Sequence, residues 1–198
     1  MIQIGITGGI GSGKSTVRDL LERKGAVLFD ADSVAKKCMT TDSAVKNALV
    51  QVLGLETYAS DGALNKSFIA TRIFEDENLR LQVNSIVHPA VYRRYKEAVR
   101  EADEAGVPAI VRESALLPSA EWRADLDVLV FVDAELARRS KRVERRDQLS
   151  DVEFNSRVNA QPSPEEFRAA ADIVLNNDGN LADLTVKVDE LWSSLHND

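Results

Sequence analysis

Apolar positions change period along the chain. Residues 2–7, Ile-Gln-Ile-Gly-Ile-Thr, form a short β-rich run, and from Lys14 onward Val17, Leu20 and Leu21 recur on one helical face, with Gly25 as the expected C-cap. Residues 26–29 are a second apolar run, ending at Asp30-Ala31-Asp32. This β-loop-α-β order predicts a parallel sheet. Further strands are expected at 107–112, 127–132 and 173–175. The span between the second and third strands reads as helical and far exceeds the dozen or so residues a crossover needs, which predicts an inserted helical subdomain. In it, a helix over 43–53 closes at Gly54, Ser67 is the expected cap of a helix reaching Phe74, and a longer pair of helices should break at His88-Pro89. Ser150-Asp151-Val152-Glu153 and Ser163-Pro164-Glu165-Glu166 are capping boxes, the second with Pro at the first helical position.

The glycines after the first strand change the picture from fold to chemistry. Residues 8–15 match G-x-x-x-x-G-K-[ST] between a strand and a helix. Glycines let successive amides turn inward without Cβ clashes, and the helix N-terminus adds positive potential where a β-phosphate would sit. Lys14 then meets β/γ oxygens, and Ser15 can ligate Mg²⁺ that arrives with ATP. A dinucleotide loop is excluded because Lys14 stands where the last glycine of G-x-G-x-x-G belongs. A GTPase switch fits poorly: Asp103-Glu104-Ala105-Gly106 precedes a strand, and Asn65-Lys66-Ser67-Phe68 lacks the final Asp of N-K-x-D.

Composition narrows the partners. The 198 residues suit one compact unit with at most a small insert, and 44% hydrophobic with 29% charged residues is ordinary for a globular chain. A net charge of −7 provides no global field for nucleic acid or an anionic membrane, so an anion site must be local. One cysteine and two histidines exclude an internal disulfide and a zinc cluster. No run resembles a signal peptide or a membrane span, and a cytoplasmic protein is expected.

Asp30 and Asp32 follow the second strand, where open α/β sheets place ligands; each is either a turn former or a carboxylate that orients an acceptor hydroxyl and takes its proton. The segment 133–147 carries Arg138, Arg139, Lys141, Arg142, Arg145 and Arg146. A charge run is usually a solvated helix face, but a lid over a phosphate loop needs arginines for the transferring phosphoryl group, and that role is assigned to Arg142 and Arg146. Glu113 follows a strand and could hold Mg²⁺ through water. Core filling explains Cys38 and Trp122.

Thr7 with the loop, Asp30-Ala31-Asp32-Ser33-Val34-Ala35-Lys36, Asp61-Gly62-Ala63-Leu64, Ile73-Phe74, Asn84-Ser85-Ile86-Val87-His88-Pro89, Arg142 with Arg146-Asp147, Asn159-Ala160-Gln161 and Ala171-Asp172 fall in the order and spacing of one family. The chain resembles the dephospho-CoA kinases along nearly its whole length. The resemblance implies a P-loop kinase-like α/β three-layer sandwich with a parallel central sheet. Its core would be 1–35, 106–137 and 170–198, with a helical acceptor insert near 36–105 and a helical lid near 138–165. It implies transfer of the ATP γ-phosphoryl group to the ribose 3′-hydroxyl of dephospho-CoA, with Mg²⁺. Asp32 would be the base, with Lys14, Arg142 and Arg146 also catalytic. Gly9, Gly11, Ser12, Gly13, Lys14, Ser15, Thr16 and Asn177 would hold ATP, and Thr7, Gly8, Asp32, Lys36, Lys66 and His88 the acceptor. Lys36 and Lys66 replace the usual arginines, and Asn176-Asn177 the usual D-N. Arg112-Glu113-Ser114-Ala115-Leu116-Leu117-Pro118-Ser119 stands where the family reads D-I-P-L-L-F-E, keeping the leading acid as Glu113. A P-loop kinase for another nucleoside or small metabolite, or an inactive nucleotide-binding regulator, are the alternatives.

Overall fold

The structure is a computed structural model that describes residues 1–115 and 120–196, with the side chain of Glu121 excluded. Its sheet is built from β1 (Ile2–Thr7), β2 (Val27–Phe29), β3 (Ala109–Glu113), β4 (Val128–Asp133) and β5 (Ile173–Asn176). The helices are α1 (Lys14–Glu22), α2 (Ala31–Thr41), α3 (Ser43–Leu53), α4 (Lys66–Glu75), α5 (Glu77–Glu104), α6 (Ala120–Ala124), α7 (Leu136–Asp147), α8 (Asp151–Asn159), α9 (Pro164–Ala170) and α10 (Leu181–His196). All strands pair in parallel, in the order β2-β3-β1-β4-β5. A parallel sheet must be covered on both faces. Alternation along the strands supplies this. Ile4, Ile6, Val111, Val128, Val130 and Val132 form one core with Val17 and Leu21 of α1 and Leu184, Val188 and Leu191 of α10. The other strand face presents Phe131, stacked on Phe167 of α9 at 5.3 Å, and Arg112, which lies 4.1 Å from the Trp122 ring of α6.

The chain divides into two compact units, 1–29 with 99–198, and 30–98. The smaller unit includes Asp32, which the expected boundary at 36 put in the core. Its own core contains Val45, Leu49 and Leu53 of α3, Ile69 of α4 and Val83, Val87, Val91 and Tyr95 of α5.

Three local expectations are corrected. The predicted break at His88-Pro89 is absent: α5 is one helix of 28 residues with Pro89 inside it. A proline in a helix interior costs about 3 kcal/mol. Here Val83, Val87, Ala90, Val91 and Tyr95 are all buried, and each large apolar side chain returns about 1.5–3 kcal/mol, so the helix continues. Ser67 does not cap α4. Asn65 does, accepting from the Phe68 amide at 3.2 Å, while the Ser67 hydroxyl donates to the same Asn65 oxygen. The α1 C-cap is Arg23, and Gly25 follows with φ 99°, its amide bonded to the Glu22 carbonyl. The capping boxes at Ser150 and Ser163 form as expected.

Leu21 is fully buried between α1 and the sheet. Leu21→Ala should cost about 2–5 kcal/mol. The expected result is a lower urea midpoint at unchanged slope.

Candidate functional site

Register places the site. β1 is central, and its loop leaves the carboxyl edge of the sheet with Glu113 to one side, because Ile6 pairs with Glu113, and β4 to the other, because Thr7 pairs with Phe131. One strand further out Asp133 pairs with Asn176, and the Asn177 amide donates to the Asp133 carbonyl at 2.7 Å. The loop, Glu113, Asp133 and Asn177 therefore share one edge, where open α/β sheets bind ligands.

Gly11 and Gly13 show why the loop needs glycine. Gly11 has φ 78°, and a Cβ there would lie 2.6 Å from the Arg139 carbonyl oxygen. Gly13 has φ 101° and sits against the Asn177 side-chain amide. Any larger residue would both strain the backbone and push α7 or Asn177 off the loop.

The loop is held from several directions. The Ile10 amide donates to Gln161 Oε1 at 2.8 Å, and the Ile10 carbonyl accepts from Arg139 Nε at 2.8 Å. Arg142 Nη1 reaches the Gly11 and Ser12 carbonyls at 3.4 and 3.3 Å, and its Nη2 donates to the Asn177 carbonyl at 2.8 Å. Asn177 Nδ2 donates to the Ser12 carbonyl at 2.7 Å. Lys14 Nζ bonds the Gly8 and Gly9 carbonyls at 2.8 and 3.2 Å. Thr7, Gly8, Gly9, Ser12, Lys14 and Asn177 are buried, while Ser15 and Thr16 are half-buried at the start of α1.

Charge is concentrated here. Burial pushes the Lys14 ammonium down to about 8; Glu113 opposes this, and Arg139 and Arg146 add to it. Glu113 also pairs with Arg18 Nη1 at 3.3 Å, so its carboxylate stands between two cations of α1. Arg146 is exposed and chelates Asp147 through Nε and Nη2 at 2.8 and 2.7 Å. Sequence had assigned nothing to Arg18, Gln161 or Arg139. Two of them had a signal, Gln161 within Asn159-Ala160-Gln161 and Arg139 within the basic run 133–147; Arg18 had none.

Four residues expected on the acceptor side, Asp32, Lys36, Lys66 and His88, belong to the smaller unit, and all are exposed. The two aspartates after β2 separate clearly. Asp30 caps α2, accepting from the Ser33 amide at 3.0 Å and the Ser33 hydroxyl at 2.7 Å, and the amide bond holds its carboxyl below the usual range. Asp32, in the first turn of α2, has no side-chain hydrogen bond or ion pair among the described residues. The altered segment after Glu113 is described only to Ala115; 116–119 lie outside the described residues.

A family model described as dephospho-CoA kinase matches residues 2–183. The chain belongs to the dephospho-CoA kinase family. It is 40% identical over 192 residues to the dephospho-CoA kinase of Salinibacter ruber, covering 97% of this chain and 96% of that one. It is 36% identical to the dephospho-CoA kinase of Geobacter sulfurreducens, covering 96% of each. The crystal structure of TT1252 from Thermus thermophilus superposes with a TM-score of 0.82 at 32% identity, over 98% of this chain and 97% of that one. A shikimate kinase from Acinetobacter baumannii shares the fold at a TM-score of 0.53 and 18% identity, covering 100% of this chain and 96% of that one. The P-loop kinase architecture expected from the family's motifs is thereby established.

Lys14 sets a pH dependence. Its ammonium titrates near 8 in the folded chain against an ordinary 10.5, so unfolding takes up a proton between those values. Below pH 8 the buried charge costs the free fold about 3 kcal/mol, a cost that fades as pH rises towards 10.5. In the role expected for it, Lys14 would meet phosphate oxygens in its charged form. ADP affinity should therefore fall by up to about tenfold per pH unit above 8, with proton uptake on binding in calorimetry. A flat affinity from pH 7 to 9.5 would remove Lys14 from the phosphate site.

Proposed function

We propose that the chain transfers the γ-phosphoryl group of ATP to the ribose 3′-hydroxyl of dephospho-CoA, giving CoA and ADP. The observation that carries this is the braced phosphate loop in a chain whose family match extends from residue 2 to 183. Gly9, Gly11, Ser12, Gly13, Lys14, Ser15 and Thr16 cradle the polyphosphate through loop amides, the Lys14 ammonium and the α1 N-terminus. Asn177 closes the ATP side by fixing Ser12. Thr7, Gly8, Lys36, Lys66 and His88 are proposed for the acceptor.

Asp32 is proposed as the base. Its support is chemical: Asp30 is consumed by its cap, and Asp32 keeps both carboxylate oxygens for a hydroxyl proton. Arg142 and Arg146 are proposed to stabilise charge spread over the transferring group. Arg142 would exchange its long contacts to Gly11 and Ser12 for phosphate oxygens.

The donor set fits Mg²⁺. The Ser15 hydroxyl and the Glu113 carboxylate are hard oxygen donors. Mg²⁺ in phosphate sites keeps waters and needs only one or two protein ligands besides the phosphates. Among the described residues no cluster of three His, Cys, Asp or Glu forms a protein-only cage. Bound with ATP, the ion would neutralise charge on the β- and γ-oxygens. The reaction is proposed for the cytoplasm, with no nucleic-acid or membrane partner. Among the described residues no helix is long and apolar enough to cross a membrane.

ATP, Mg²⁺ and dephospho-CoA incubated with the protein should yield CoA and ADP, and dephospho-CoA should have the highest kcat/KM in a panel of nucleoside and small-alcohol acceptors. ADP formation without CoA would reject the assignment. Asp32→Asn should lower kcat by about 10²–10⁴-fold with ATP affinity unchanged. An equal loss in ATP affinity would contradict its role at the acceptor.

A further inference from the structure

Arg139 differs from the other arginines of α7. It is only 7% exposed, whereas its helix neighbours Arg138, Arg145 and Arg146 are exposed. A solvated charge run does not bury one of its members. The Nε–H is used on the Ile10 carbonyl. Among the described residues Nη1 and Nη2 find no protein acceptor, and no carboxylate lies within ion-pair distance of the guanidinium. The acid whose field it feels is Asp133, and that carboxylate is engaged by Arg168 Nη2 at 2.6 Å. Neither Nη is among the fully buried polar atoms that lack a partner, so the fork end keeps solvent access and both nitrogens are free to donate to an arriving anion.

What faces the free end of the fork is the start of the phosphate loop. The guanidinium lies against Gly9, so closely that a Cβ there would come within 2.9 Å of Nη1. Lys14 Nζ is bonded to the Gly8 and Gly9 carbonyls, so two buried cations converge on the same peptide. Gly9, Ser12 and Arg139 line a cavity of about 640 Å³ whose wall also carries Asp133, Glu135, Glu166 and Asp178, so Arg139 supplies the positive charge on its loop side. In such loops the amides at the helix N-terminus hold the β-phosphate, while the lysine reaches on to the γ-phosphate. Arg139 sits at the other end of the loop, beside that ammonium.

We infer that Arg139 is a catalytic arginine that grips the transferred phosphoryl group. Nη1 and Nη2 donate to γ-oxygens across Gly9, while Nε stays on Ile10. The inference rests on the ATP-dependent transfer proposed above. As the acceptor oxygen–phosphorus bond forms and the bond from phosphorus to the β-phosphate oxygen breaks, the hydroxyl proton goes to Asp32 and ADP leaves. Arg139 exchanges no proton; its fork follows the charge on the equatorial oxygens. The bond to Ile10 holds the guanidinium in place before ATP arrives, which limits the reorganisation needed in the transition state.

Arg139→Gln and Arg139→Lys, assayed with Mg²⁺ and dephospho-CoA, test this alongside calorimetric affinities for ADP and a non-hydrolysable ATP analogue. Arg139→Gln should lower kcat by about 100-fold or more, with ADP affinity kept within about threefold of the parent. A kcat within threefold of the parent overturns the inference. So does an equal loss of ADP and ATP-analogue affinity, which would make Arg139 only a brace of the loop. If Arg139→Gln loses its helical circular dichroism, Arg139→Lys decides: charge without the fork should reduce kcat by about tenfold with ADP binding intact, and parental turnover would overturn it. A parent that forms no CoA speaks against the acceptor assignment instead. The comparison of ADP with the ATP analogue then still decides Arg139, with weakened binding of the analogue alone as the supporting result.

Discussion

Amides can converge on an anion only if the carbonyls of nearby peptides turn away from it, and each carbonyl turned away then needs a donor. The loop after β1 meets this constraint with side chains from distant parts of the chain. Arg139 and Arg142 of α7 serve Ile10, Gly11 and Ser12, and Asn177 after β5 serves Ser12 a second time. Lys14 serves Gly8 and Gly9 from within the loop. Gln161 anchors the same turn through the Ile10 amide. The sheet order makes this feasible, since β1 lies between β3 and β4 and β5 follows β4. Elements following β4 and β5 thus arrive beside the loop without long excursions.

The bracing also concentrates positive charge in a protein whose net charge is −7. Lys14 and Arg139 are buried together, Arg142 is half-buried beside them, and Glu113 is the acid that most favours the Lys14 charge. The acids on the surface are solvated and screened by water and salt beyond about 10 Å, so they do little to cancel these cations. Cations and amides converging in this way suit an anion that brings several negative oxygens at once. A polyphosphate chelating Mg²⁺ has that character.

The smaller unit follows a different logic. Its helices are held by ordinary apolar burial, sufficient to keep α5 continuous through Pro89. The polar residues expected at the acceptor remain on its surface. Asp32 illustrates the economy of the segment after β2. Two aspartates stand two positions apart, one closes the helix through Ser33, and the other is left chemically uncommitted. The pattern Asp-Ala-Asp-Ser was visible from the start, but which aspartate capped the helix depended on backbone geometry, since Asp30 has extended φ and ψ while Asp32 lies within the helix.

The parallel sheet, the phosphate loop between β1 and α1, both Ser-Pro-type and Ser-Asp-type capping boxes, and membership of the family were readable in the chain itself. Each depends on residues close in sequence, through strand alternation, glycine spacing or a side chain bonding three residues ahead. The break expected at Pro89 and the cap expected at Ser67 failed for a related reason: local preference was overruled by burial along α5 and by a better-placed Asn65. The arginine cluster was visible as charge, but one helix face looks much like another until the sheet turns it. Only the tertiary structure buried Arg139, spread Arg142 across three carbonyls and left Arg146 exposed, because those outcomes are set by which face of α7 rests on a loop more than a hundred residues earlier.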